Sequence, residues 1–343
     1  MFTISEVPEK PVYPRVSLII PVHNGGDAFQ VCLTCIRSLS PPPLECIVVV
    51  DGIDESSLNM ARGSGARVFS NPNKRGPAAA RNLGAFQADG EILLFVDADV
   101  ALPSNAIAIV LEVFRNENKI DALIGSYDDT PPEQDFFSQF KNLFHHYTHQ
   151  NSCEIALTFW GACGAIKTDV FKEVGGFDPA YTLPSIEDIE LGYRLKQAGF
   201  SIRMVKSLQV KHLKKWSMKR VLMTDIFYRA IPWTKLIFSY GKLHNDLNLR
   251  ISDRIASILA VLFCFGFVAS IVNPIFLPIT VCIFSLLLFI NQKMYKFFYQ
   301  KRGIFFLFGS IVWHWVYYCY SLAAFSIGYF LHLKDRLAEK SFF

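Results

Sequence analysis

The sequence predicts an α/β fold, with a Rossmann-like, mostly parallel sheet followed by transmembrane helices. Three observations carry this. Short apolar runs alternate with helical patterns through the first hundred residues, and strand, helix, strand is the signature of a parallel sheet with helices on its faces. Three of those runs end in polar residues: His23 and Asn24, then Asp51, then Asp97 and Asp99. Ligands of such sheets bind beyond the carboxyl ends of the strands, so these residues should converge on one crevice. Finally, residues 1–250 carry charges throughout, whereas residues 255–332 carry almost none outside one basic patch.

The elements follow in order. VSLIIPV (16–22) reads as a strand and HNGGD as the turn after it, with a helix from about Phe29 to Leu39. ECIVVVDG is a second buried strand, LNMARGSGA a short helix and turn, and RVFSN a third strand. Gly76-Pro77 opens the helix PAAARNLGAFQA, with Pro at its first position. GEILLFVDADV then runs five apolar residues, Ile92 to Val96, straight into Asp97 and Asp99. A carboxylate at the end of a buried strand needs a partner, either a basic side chain or a metal ion. The second half is less regular. GAIK is strand-like, IEDIELGYRLKQAGF is helical with Glu187 and Asp188 in its first turn, and RMVKSLQVKHLKKW is strand-like and ends near His212. Acids in a first turn favour the helix dipole, which alone would explain Glu187 and Asp188. YDDTPPEQD (127–135) reads as a flexible lid or a solvated turn. In FHHYTHQ, His145 and His149 sit four apart, which is read as a metal pair, a role near an acceptor phosphate, or plain packing or surface.

The net charge of +4 is too small to argue for nucleic acid. The eight cysteines are scattered without a zinc-type double pair, and Cys32-x-x-Cys35 lies inside an apolar helical pattern. MFTISEVPEKPVYPR is charged and Pro-punctuated, unlike a signal peptide, so the first half is expected to stay cytoplasmic with reduced thiols. Ile255–Val272, Ile275–Ile290 and Gly303–Leu331 are apolar segments, against the roughly 20 residues that a span requires. Only Asn273 and Pro274 separate the first two, which predicts a tight or re-entrant hairpin. The loop NQKMYKFFYQKR and the residues Lys242, Arg250 and Arg254 are basic, so both ends of the hairpin should face the cytoplasm. The third segment leaves the side of the C-terminus open. His314 within it is an interhelical hydrogen-bonding residue or a catalyst. Residues 216–250 mix Lys and Arg with Trp, Phe and Ile, as a helix lying in the membrane interface would.

These motifs together resemble the family-2 glycosyltransferases, which have the A-type glycosyltransferase fold. SLIIPVHNGGD resembles the family's opening strand and turn, VVVDGIDESS its nucleotide-base loop, and RGPAAARNLGA its next helix. DAD (97–99) resembles its D-x-D, GACGAIKTDVFKEVGGFD its glycine-rich segment, and IEDIELGYRLKQAGF its E-D helix. The resemblance covers about residues 15–215. It implies a catalytic domain at 1–215; the composition beyond it predicts an amphipathic interfacial linker at 216–250 and a transmembrane region with about three hydrophobic segments at 251–343. The resemblance implies a UDP- or GDP-sugar donor bound by Pro21, Asn24, Asp51, Arg81, Asp97, Gly161 and Gly164. It implies Mn2+ or Mg2+ held by Asp99, with Asp97 and His212 contributing, and Arg81 as partner of Asp97 or the diphosphate. Asp188 becomes the base of an inverting transfer, with Glu187 orienting it, and Trp160 stacks on sugar or packs in the core. HLKKW (212–216) lacks the Q-x-x-R-W of processive members, so one sugar is expected per encounter. The membrane segments point to a lipid or lipid-linked acceptor and a multi-pass protein with its catalytic domain on the cytoplasmic side. The alternatives are a membrane-anchored nucleotide-sugar-binding module without catalysis, and a nucleotidyltransferase. The latter would need a basic Gly-rich loop where HNGGD has no Lys or Arg.

Overall fold

A computed structural model describes residues 14–73, 75–117, 119–241 and 247–340. Lys242, assigned above to the basic flank of the hairpin, lies outside the described residues. The chain runs β1 (Val16–Val22), α1 (Gly26–Arg37), β2 (Glu45–Asp51), α2 (Glu55–Gly63), β3 (Arg67–Asn71), α3 (Pro77–Phe86) and β4 (Ile92–Val96). It continues through β5 (Val100–Ala101), α4 (Ala106–Asn116), β6 (Ala122–Tyr127), α5 (Phe136–Gln150), β7 (Ile155–Ala156), β8 (Cys163–Lys167), α6 (Thr168–Glu173), α7 (Glu187–Gln197) and β9 (Ile202–His212).

Eight strands follow the order β3-β2-β1-β4-β8-β6-β9-β5, and β7 pairs with β9. The first four pair in parallel, as the alternation predicts. Beyond β4 the sheet is mixed, because β8 is antiparallel to both β4 and β6. Every residue of β4 is buried, the pattern of a strand covered on both faces. Apolar clusters on the two faces of the sheet form the core. Helix α3 lies close to the sheet because Gly84 faces Ile19, where an added Cβ would approach Cγ2 to 2.6 Å.

The C-terminal part departs from a simple linker and loops. Helix α8 (Met218–Met223) leads into a π-helical stretch, Thr224–Ala230, and then α9 (Ile231–Tyr240). This segment is packed against the sheet-bearing part. Ile237 and Leu236 of α9 pack on Ile186 and Tyr193 beside α7. Helix α10 (Ile251–Val272) and α11 (Leu277–Lys340) follow, the latter interrupted at Gly303, where φ is 77°. The three apolar segments are thus three helical rods. NQKMYKFFYQKR is not a loop but the helical end of the second rod, whose Met294, Tyr295 and Phe298 cover Phe140 and Phe144 of α5. Its last residues pin the acidic 127–135 segment. Lys301 pairs with Asp129 at 2.5 Å, Arg302 donates to the Asp129 carbonyl at 3.0 Å, and Lys211 of β9 holds Asp128 at 2.5 Å. That segment is therefore a fastened corner and not a lid.

Both α10 and α11 are long and apolar enough to cross a membrane, and only 11% and 17% of their most apolar windows are buried. Large apolar side chains point outward instead, such as Phe265, Val272 and Phe305. That is unlike a soluble core helix. The third rod lies along the sheet-bearing part over much of its length. Gly309 faces Phe136, Trp313 meets Phe137, Tyr320 donates to Asp225 at 2.8 Å, and Asp335 pairs with Lys235 at 2.6 Å. His314 makes a hydrogen bond between rods, to Tyr295 at 3.2 Å.

Candidate active site

The crevice is assembled by strand ends. Beyond β4 the chain turns through Asp97 and Asp99 into β5, which pairs antiparallel with β9 so that Val100 sits opposite His212. This register brings Asp99 Oδ2 to 3.7 Å from His212 Nε2. Antiparallel pairing of β8 with β4 delivers Trp160 and Gly161 to the same place, where Asp97 N–H donates to the Ala162 carbonyl at 3.3 Å. Helix α7 starts against this turn. The Gly161 N–H donates to Asp188 Oδ2 at 2.9 Å, and the Ile189 N–H to Asp188 Oδ1 at 2.8 Å.

Arg81 of α3 joins the two carboxylate motifs. It donates to Asp97 Oδ1 at 2.6 Å and to Glu187 Oε1 at 2.9 Å, while lying over Phe177. Glu187 also accepts the Ser185 N–H at 2.9 Å, so it is fully held. Glu187 is buried with side-chain exposure of 5%, whereas Asp97 is 34% exposed toward the crevice. Gly161 is required here, because an added Cβ would stand 2.9 Å from Arg81 Cζ. Burial, then the charge of Glu187, pushes the Asp188 carboxyl up to about 6, against the pull of the Gly161 N–H and Arg81.

Rings line the wall between Asp99 and Asp188. His212 stacks on Tyr127 at 4.4 Å, Tyr127 on His145 at 5.9 Å, and His145 near His149 at 6.4 Å, with interplanar angles of 14°, 11° and 15°. Trp160 stands edge-on to Tyr127 and to His149. The Tyr127 phenol is raised by burial and by the charges of Asp99 and Asp97, while Arg229 opposes them and Asp188 adds to them. One ring therefore senses both ends of the site.

Several residues expected to touch the donor are engaged within the protein itself. Asp51 accepts from Asn71 Nδ2 and from the N–H groups of Arg75 and Gly76, at 2.9 to 3.0 Å, and so clamps the turn before α3. Gly164 is accounted for by packing, since a Cβ there would meet the Trp160 carbonyl at 2.5 Å and the Phe159 ring at 2.6 Å. Pro21 pairs opposite Val49 near the end of β1, and Asn24 follows at φ 54° with Nδ2 3.3 Å from His23. His23 in turn bonds the Asp51 carbonyl at 2.7 Å. Cys32 is buried, and both Cys32 and Cys35 are free thiols on α1.

For a divalent ion, Asp99 and His212 supply an oxygen and a nitrogen side by side. Among the described residues no three His, Cys, Asp or Glu side chains enclose a metal unaided, and Asp97 is held by Arg81. The donor set is thus an open one, which suits an ion completed by substrate phosphates.

The residue that sequence reasoning missed is Arg229, on the π-helical stretch. It reaches His145 Nε2 at 3.5 Å and lines a cavity with Asp188, Trp160, His149 and Trp233. π-Helical insertions are frequent at functional sites. The stretch FYRAIPW gave no signal beyond a basic residue among aromatics.

Fold and site together define a glycosyltransferase domain of the A-type fold. Residues 17–175 match the model described as Glycosyl transferase family 2. It is 25% identical over 240 residues to the pre-mycofactocin glycosyltransferase of Mycobacterium tuberculosis, covering 64% of this chain and 47% of that one. It is 26% identical over 234 residues to N-acetylgalactosaminyltransferase 7 of Drosophila melanogaster, covering 58% of this chain and 39% of the relative. The chain thus spans about half the length or less of these curated relatives. Among solved structures, the mannosyltransferase PcManGT from Pyrobaculum calidifontis, in complex with GDP-Man and Mn2+, superimposes with a TM-score of 0.56 at 18% identity. That match covers 83% of this chain and 88% of the other. GalNAc-T7 with UDP, GalNAc and Mn2+ gives 0.51 at 16%, covering 69% and 50%.

Proposed function

We propose that this chain transfers a single sugar, with inversion, from a UDP- or GDP-sugar to a hydroxyl of a lipid or lipid-linked acceptor at the cytoplasmic face of a membrane. The observation that carries this reading is the placement of Asp188. Its carboxylate is anchored by the Gly161 N–H, raised toward neutrality, and open to a cavity beside the D-x-D turn. With a pKa near 6 it is mostly ionised at neutral pH yet basic enough to take the proton of an attacking hydroxyl. Arg81 and Glu187 hold the two motifs at a fixed separation. Asp99 and His212 would hold Mn2+ or Mg2+, with Asp97 alongside. When bound, such an ion neutralises the charge that grows on a departing nucleoside diphosphate. Two solved structures of this fold contain a nucleotide or nucleotide sugar with Mn2+, which supports the donor class.

The rods support the membrane part of this reading. Residues 255–292 contain no charged side chain, and both roots of the α10–α11 hairpin lie against the catalytic part, through Arg250 to the Asn151 carbonyl and through Lys301 to Asp129. The hairpin enters and returns on the catalytic side. The third rod, bound along α5 and α9, lies in the interface and keeps its C-terminal end on that same side. The basic residues near the roots and at Lys334 and Arg336 support a cytoplasmic position for that side, by the positive-inside rule.

The test uses the purified full chain in detergent with a panel of UDP- and GDP-sugars, with and without Mn2+ or Mg2+. Asp188→Asn should abolish turnover while nucleotide binding persists, and Asp99→Asn should weaken Mn2+-dependent nucleotide binding. Undiminished turnover in Asp188→Asn would overturn the mechanism. Nucleotide binding without product in the unmutated chain would favour the non-catalytic module.

A further inference from the structure

We propose that Arg229 is the seat for a phosphate group on an amphiphilic acceptor, with the acceptor's apolar chain running from there toward the third rod. This rests on the acceptor reading above and names the chemistry of its head group. Arg229 is half-buried, and among the described residues no carboxylate forms an ion pair with it. Its neighbour Lys141 is already engaged, by Asp225 at 2.5 Å. Among the described residues the side-chain polar contact of Arg229 is a single long one, to His145 Nε2 at 3.5 Å. Burial, reinforced by the charges of Lys141 and Arg229, keeps His145 neutral, so this nitrogen accepts and orients the guanidinium without neutralising it. A guanidinium with a planar fork of donors and one weak partner, in a recessed site, matches a bidentate anion such as phosphate.

Position separates this anion from the donor diphosphate. The open metal pair, Asp99 and His212, stands at one end of the ring wall, and Arg229 stands at the other with Asp188 and Trp160. A group bound at Arg229 is therefore next to the base, where an acceptor hydroxyl must lie. The cavity also has a continuation. A second cavity shares His145, Ile189, Arg229 and Trp233 with the first. It adds an apolar wall of Ile237, Leu249 and Phe325, from α9, the start of the hairpin and the third rod. A charged end beside the base and an apolar path toward the helices that suit a membrane describe a phosphate on a long hydrocarbon chain.

The test is a titration of the full chain in neutral detergent with hexadecyl phosphate, with hexadecanol as the uncharged control. UDP and GDP binding with Mn2+ is measured separately on every variant. The phosphate amphiphile should bind about tenfold or more tighter than the alcohol, as one charge-assisted contact provides. Arg229→Gln should erase that preference, Arg229→Lys should retain part of it, and nucleotide affinity should be unchanged in both, which also reports that they fold. Equal binding of the two amphiphiles to the unmutated chain would overturn the proposal. So would a preference that survives Arg229→Gln. A loss of nucleotide affinity in Arg229→Gln, with amphiphile binding intact, would overturn it too and reassign Arg229 to the donor. If the phosphate preference depends on Arg229 while no nucleotide binds the unmutated chain, the seat is upheld and the donor reading fails.

Discussion

Replacing Arg81 by Met tests the joint between the two acidic motifs. The side chain of Arg81 is buried, and Met fills much of its stem, so the loss is chiefly that of two charge-assisted contacts at 2.6 and 2.9 Å. The two arms are unequal. Asp97 is 34% exposed and can be rehydrated, so its contribution is that of a partly solvated pair, up to about 1 kcal/mol. Glu187 is 5% exposed and would be left charged with only the Ser185 N–H. Stranding a buried charge in this way costs about 3–5 kcal/mol, and that arm should dominate. Adding Glu187→Gln to Arg81→Met removes the stranded charge and should recover about 2 kcal/mol, within the coupling range of contacting residues. The assay is urea unfolding of the four members of this cycle in one detergent, followed by tryptophan fluorescence. The reasoning is refuted if Arg81→Met and the double variant unfold together, or if the two single changes simply add.

The remaining expectations can be checked with the same preparation. Gly161→Ala should destabilise by about 1–3 kcal/mol, because its Cβ would stand 2.9 Å from Arg81 Cζ; a thermal shift reads the stability and an initial rate reads the displacement of the N–H that anchors Asp188. The turnover of the unmutated chain should fall as pH drops through about 6, since the Asp188 base is lost on protonation and is fully available above that value; a flat profile from pH 5 to 7 would contradict the assignment. Lys141→Met should cost about 3–5 kcal/mol by stranding Asp225, which keeps only the Tyr320 hydroxyl, and Asp225→Asn added to it should restore most of the loss.

Local chemistry made part of this molecule readable. The runs of β1, β2 and β4 are continuous and apolar because parallel central strands are covered on both faces, and they appear in the structure nearly residue for residue. Asp97, Glu187 and Asp188 could be read because each lies in a short motif whose backbone context travels with it. Two features were not readable for the same reason in reverse. The antiparallel insertion of β8 depends on a pairing between segments about seventy residues apart, which no local periodicity encodes. Arg229 reaches the site only because the π-helical stretch turns it there, against a histidine from α5, 84 residues earlier in the chain. The basic run ending at Arg302 misled more subtly. It reads as a basic loop facing the cytoplasm, but in the structure it is helical, and Lys301 and Arg302 at its end also serve as counter-charge and donor for an acidic corner.

Helix α5 has one side in the crevice, through His145 and His149, and another under the second and third rods, through Phe140, Phe144 and Phe137. Trimming the chain ahead of α10 to obtain a water-soluble protein would therefore uncover a row of phenylalanines on the very element that lines the crevice. The C-terminal rods double as the back wall of the crevice, and purification strategies have to treat sheet and rods as one folding body.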